Sequence, residues 1–139
     1  MQSSETRAVV QRFLEARAAN NRADLVELLT DDAEWYPPAS AGFGPFQGRD
    51  TVADALTGGA AGRLFDQATI RRTVHRLIVE DDVAVALQQL NATTRKGATY
   101  ENQYCWVYSC RDGRIARLDE YVDTLHAALV LGTASLTRR

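Results

Sequence analysis

One carboxylate falls where a carboxylate is least at home. Side chains from Ile115 to Val122 alternate with a period of two, so Ala116, Leu118, Glu120 and Val122 share one strand face. Glu120 is the acid in an otherwise apolar row. Burial there disfavours its charged form and raises its pKa toward neutrality, which suits a general acid or base. The competing reading is an ion pair with Arg17 or with a core-adjacent His. On the preceding strand Tyr100, Asn102, Tyr104, Trp106 and Tyr108 share one face, and Glu101, Gln103, Cys105, Val107 and Ser109 share the other. Asn102 and Tyr104 can polarise a substrate carbonyl while Trp106 stacks on its rings. Sheet packing explains the aromatics as well, but it does not explain Asn102.

Further polar side chains interrupt apolar patterns. Gln89 and Asn91 share a face with Val83, Val85 and Leu87, where two amides need partners that the polar end of a pocket, or a wet rim, would supply. His75 breaks an apolar strand; a proton relay and a satisfied or half-exposed imidazole both fit. His126 follows Asp123 by three residues, about one helical turn, so the pair can hydrogen-bond and present an imidazole at a cavity mouth, or Asp123 can simply cap. Phe13, Arg17, Trp35, Tyr36, Phe43, Phe46, Phe65 and Leu118 are expected to line or lid an apolar pocket, with core packing as the alternative.

These residues need a scaffold. Ser3 or Ser4 is placed to cap a first helix, in which Val9, Val10, Phe13 and Leu14 recur at helical spacing to about Ala19 and Phe13 and Arg17 lie on the buried face. Asn20-Asn21 stops it, and Asn21 caps a short second helix carrying Leu25, Leu28 and Leu29. Thr30-Asp31-Asp32 ends that one. A short strand, 33–36, stops at Pro37-Pro38, and a loop from 39 to 48 holds Phe43 and Phe46, so it is expected to fold over something apolar. A third helix starts at Gly48-Arg49-Asp50-Thr51 and ends at Gly58-Gly59, with 58–62 expected to be mobile. Strands at 69–80 and 83–94 join at Asp81-Asp82, and a hairpin with an Asp112-Gly113 turn follows. The chain thus reads as one domain: 1–66 as helices with a short first strand and loop, 68–123 as an antiparallel meander, 124–131 as a terminal helix and 132–139 as a loose tail. Helices followed by strands predict an α+β fold whose curved antiparallel sheet wraps three N-terminal helices.

Composition narrows the partners. The 139 residues carry a net charge of -2 with scattered charges, and 45% are hydrophobic, enough for a real core. Neither a nucleic-acid footprint nor a membrane-surface patch is present. A small apolar molecule is the expected partner. No apolar run approaches the roughly 18 residues of a membrane span, and no leader precedes the first helix, so a cytoplasmic protein is expected. Cys105 and Cys110 lie five positions apart on one strand, on opposite faces, and cannot bridge. With two His and no Cys-x-x-Cys pair, no metal and no cofactor are expected.

Several local signatures then add up in order and spacing. They are Asp31-Asp32-Ala33-Glu34-Trp35, Phe46-x-Gly48-Arg49-Asp50, Asp112-Gly113-Arg114-Ile115 and Glu120-Tyr121-x-Asp123-Thr124-x-His126. Over nearly the whole chain this resembles the nuclear transport factor 2-like superfamily, in its SnoaL-like and ketosteroid isomerase-like branch. The resemblance implies a cone of curved sheet closed by helices around a deep apolar pocket, and a homodimer paired through the open sheet face. Positions matching the ketosteroid isomerase catalytic set are Phe13, about Cys105, and Pro37, so steroid isomerisation by that set is not expected. For limonene epoxide hydrolases the matches are about Gln89, Leu87 and Glu120, with Trp35 and Pro37 near the Tyr and Asn sites; only the Glu120 carboxylate remains. A SnoaL-type cyclase, needing chiefly one acid/base carboxylate in an apolar pocket, suits this sequence. Function lives in the site and not in the fold, so a cofactor-independent cyclase, isomerase or hydrolase stands beside a non-catalytic carrier or sensor.

Overall fold

The computed structural model describes residues 1–132, so the expected tail at 133–139 lies outside the described residues. Six strands form one curved sheet in the order β2-β1-β6-β5-β4-β3. They are β1 (Leu29–Tyr36), β2 (Phe46–Gln47), β3 (Arg71–Glu80), β4 (Val83–Thr93), β5 (Thr99–Arg111) and β6 (Arg114–Val122). The helices are α1 (Ser3–Ala18), α2 (Arg22–Leu28), α3 (Arg49–Thr57), α4 (Ala60–Leu64) and α5 (Thr124–Leu131). Strands β3 to β6 are the antiparallel meander. β1 joins β6 in parallel, setting Trp35 opposite Leu118. Among the described residues no helix is long and apolar enough to cross a membrane.

Local chemistry fixes the joints. Asp112 and Gly113 both take positive φ, 53° and 80°, as a two-residue primed turn requires. Asn21 accepts from the Asp24 amide and caps α2, which ends at Leu28. Leu29 therefore belongs to β1, opposite Ile115 of β6, and not to the helix; the register shifts between Leu29 and Glu34, so Thr30-Asp31-Asp32 lies in an irregular part of the strand. No side chain caps α1 from its N-cap residue, Gln2. The Ser3 hydroxyl instead accepts from the Asp81 amide at 2.9 Å, and Thr6 donates to the Asp81 carbonyl at 2.6 Å. The stretch expected to be mobile, 58–62, overlaps the start of α4.

The core lies between α1, α2, α3 and the concave sheet face. Phe13, Leu25, Leu29, Ile115 and Leu118 are fully buried there. Small residues on β4, Ala84 and Ala86, let α1 approach the sheet closely. A bulge between Ser109 and Cys110 sets Cys110 opposite Ile115, so Ile115 joins the core and Ala116 is only half-buried. Beyond the bulge the alternation of β6 is as read, with Leu118 and Glu120 inward. Cys110 is buried, Cys105 lies on the other sheet face, and both are free.

Candidate functional site

Where the core thins toward α5, the sheet and helices enclose a cavity of about 110 Å³. That is the order of size that admits one small ring system. Its apolar walls include Trp35, Phe43, Leu56, Phe65 and Trp106. Its polar groups include Arg17, Arg72, Gln88, Tyr104 and Glu120. α5 covers one side with Ala127, Ala128 and Leu131. Among the described residues no cluster of His, Cys, Asp or Glu could hold a metal ion.

Glu120 sits opposite Trp106 on the β5–β6 ladder and is 9% exposed. The parallel β1 brings Trp35 beside it, and the indole N–H donates to Glu120 Oε1 at 3.1 Å. Burial pushes the carboxyl up from 4.5 to about 7; the nearby Arg17 charge, the Trp35 hydrogen bond and the Arg72 charge oppose the rise without cancelling it. Neither arginine forms an ion pair with Glu120, so the structural ion pair weighed from the sequence is not formed. Trp35→Phe should remove the donor that favours the carboxylate and raise the carboxyl's titration midpoint by about one pH unit, read by carbon NMR of a labelled Glu. An unchanged midpoint would show that the indole does not act on Glu120.

The aromatic face of β5 extends from this acid. Trp106 lies 5.9 Å from Trp35 and 6.3 Å from Tyr108, and Arg17 from the last turn of α1 sits 5.3 Å over the Trp106 ring. Asn102 stands one layer behind the cavity. Its Oδ1 accepts from the Gln103 amide, which fixes the orientation of the side-chain amide. Its Nδ2 then donates to the Tyr100 hydroxyl at 2.8 Å and to the Asp123 carbonyl at 3.0 Å. Tyr100 and Tyr104 share a hydroxyl hydrogen bond of 2.8 Å. If Tyr100 gives its proton to Tyr104, the Asn102 and Tyr100 donors are used and Tyr104 keeps its own proton for a group in the cavity. Burial holds both phenols above their ordinary pKa, so they are donors at neutral pH. Asn102 thus holds Tyr100 from behind, and Tyr100 and Tyr104 line the cavity.

Several residues chosen from the sequence lie elsewhere. Gln89, Asn91 and His75 are on the outer sheet face, where His75 Nε2 lies 3.3 Å from Gln89 Oε1 and Gln89 donates to Asn91 at 2.8 Å. Of these three, Gln89 also lines the cavity. The inward amide is Gln88, 5% exposed, whose Nε2 donates to the Tyr108 hydroxyl at 3.3 Å. Tyr36 points away from the cavity; its hydroxyl bonds to Glu34 and Arg117 lies 4.0 Å over its ring. Phe46 stacks behind Trp35 at 5.0 Å, and Phe13 and Leu118 are core. Asp123 caps α5 by accepting from the His126 backbone amide, so it does not hold the imidazole. His126 stacks on Tyr100 at 5.7 Å instead. Arg72 escaped sequence reading because a bulge between Val74 and Arg76 breaks the alternation of β3.

A curved, unclosed sheet wrapped over helices, with a cavity between them, is the cone fold of nuclear transport factor 2-like proteins. More narrowly, the chain belongs to the SnoaL-like domain family, which matches residues 10–118. Solved structures show the same fold. One is described as a SnoaL-like polyketide cyclase from Jannaschia sp. CCS1, 12% identical, with a TM-score of 0.80, covering 96% of this chain and 95% of its own. An LEH-like epoxide hydrolase of M. tuberculosis is 20% identical, with a TM-score of 0.74 and coverages of 95% and 92%. TerC, co-crystallized with polyporic acid, is 15% identical, with a TM-score of 0.79 and coverages of 92% and 98%. At these identities the likeness carries the fold alone. No curated protein matches this chain.

Proposed function

We propose that this protein is a cofactor-independent acid/base enzyme acting on an apolar, ring-containing, oxygenated metabolite, by cyclisation, isomerisation or water addition. The observation that carries this reading is Glu120, a buried carboxyl at the cavity wall with its pKa raised to about 7. In this scheme Glu120 moves the proton. Tyr104 donates to the developing negative oxygen, held by Tyr100 and Asn102, and Trp106 and Phe43 bind the ring. Polyketide cyclase and epoxide hydrolase chemistry among the structural neighbours supports the reaction class. The test compares wild type with Glu120→Gln on ring-containing epoxides and polyketide-like aromatics, measuring turnover and binding separately. Loss of turnover with binding retained supports the enzyme.

A carrier of similar ligands is the second reading. It draws on the positions that match known catalytic sets: Phe13 is core, while Cys105 and Leu87 lie on the outer face. Binding without turnover in either form would favour it.

We also infer that two copies pair through the outer sheet face. Leu87, Cys105 and Tyr121 form one cross-strand row beside Ile78, Val85 and Val107, and Tyr121 is 59% exposed. Leu87→Glu is expected to convert a dimer to monomer in light scattering at micromolar concentration; a wild-type monomer would refute the pairing.

A further inference from the structure

The cavity holds more positive charge than its walls neutralise. Arg17 reaches it from the last turn of α1, and Arg72 reaches it from the start of β3, where it pairs with Leu90 of β4. Glu120 is the acid among the lining side chains. Among the described residues neither guanidinium donates to a protein acceptor. Arg17 lies over the Trp106 ring, and Glu120 takes its hydrogen bond from Trp35.

Both arginines feel this arrangement. Burial lowers the pKa of each, and for Arg72, pushed down to about 9, the next cause is the like charge of Arg17. Both remain cationic at neutral pH. Glu120, the acid among the lining side chains, offsets at most one of the two charges. Two half-buried like charges with one acid between them are costly, so a ligand that brings a single negative charge is favoured over a neutral one of the same shape.

We propose that the cavity selects an organic monoanion, an aromatic or alicyclic carboxylic acid whose carboxylate is received by Arg17 and Arg72 while its ring lies against Trp106 and Phe65. The proposal rests on the pocket reading above and adds the charge and functional group of the ligand. A carboxylate suits the planar donor fork of a guanidinium. One negative charge brings the site to neutrality when Glu120 is ionised. When Tyr100 is the donor in their shared bond, the Tyr104 hydroxyl is a further donor to an anionic oxygen.

Two matched pairs of probes test this with the full chain: benzoate against benzamide, and 1-naphthoate against 1-naphthamide, by calorimetric titration. Each pair keeps the ring and changes the charge. Wild type is expected to bind the better carboxylate about 10-fold or more tighter than its amide. Arg72→Gln and, separately, Arg17→Gln should bring that ratio close to one while leaving amide affinity within about three-fold, and Arg72→Lys should restore part of it. Because two single variants are used, misfolding of one leaves the other to decide. Equal affinity for acid and amide in wild type, or a ratio that survives both Gln variants, overturns the proposal but leaves an uncharged-ligand pocket standing. Failure of all four probes to bind overturns both this proposal and the pocket reading.

Discussion

Glu120→Gln is expected to lower kcat by about 10²–10⁴-fold, the usual contribution of one positioned acid or base, with KM changed only a few-fold. Glutamine keeps the shape of the side chain, and its amide oxygen can still accept the Trp35 N–H seen at 3.1 Å. What it loses is the proton that moves. The wild-type rate should titrate near pH 7, rising through it if Glu120 is the base and falling if it is the acid, and the variant should lack that limb. The same shift makes a stability statement. The folded pKa is raised from 4.5 to about 7, so the folded state holds a proton that the unfolded chain releases first. The contribution is therefore fully present below 4.5 and is lost as pH rises through about 7. At about 1.4 kcal/mol per pH unit the loss is roughly 3 kcal/mol. Urea titrations at pH 4.5 and pH 8 should show this difference in wild type beyond that in Glu120→Gln. Parallel behaviour of the two proteins would mean that the carboxyl ionises as it does in water.

Tyr108→Ala should destabilise the fold by about 3–5 kcal/mol, as expected for deleting a buried ring that neighbours cannot replace. The ring is fully buried, stands edge-on to Phe13 at 5.7 Å and stacks on Trp106 at 6.3 Å. It links α1 to the wall of the cavity. Its loss should also loosen Trp106 and, through it, Arg17, so ligand affinity should fall together with stability. Tyr108→Phe separates the ring from its hydroxyl. That change leaves the Gln88 amide without its 3.3 Å partner and should cost about 1 kcal/mol, because the bond is long. Equilibrium urea unfolding measures both. If Tyr108→Ala unfolded within 1 kcal/mol of wild type, the region between α1 and the sheet would not be close-packed.

Glu120 and the row from Tyr100 to Tyr108 were legible because alternation along a strand is a local property. It survives wherever the ladder is regular, and the β5–β6 bulge falls on the far side of Leu118 from the acid. The facing of β4 misled for a physical reason. Its larger apolar residues, Val83, Val85 and Leu87, point outward, while Ala84 and Ala86 point inward because α1 packs too close for anything bigger. Hydrophobicity alone thus exchanged Gln88 for Gln89. Asp123 and His126 were read correctly as neighbours, but the backbone amide reached the carboxylate first.

The order of elements, the Asp-Gly turn, the helix-capping asparagine and the acid in an apolar row are set by residues a few positions apart, and the sequence by itself determined them. Tertiary structure decided the parallel seat of β1, which brings the Trp35 N–H to Glu120, and the β3 bulge, which places Arg72 beside Arg17. Those placements depend on strands far apart in the chain meeting in one register. Register is fixed by packing across the whole sheet, and no local spacing encodes it.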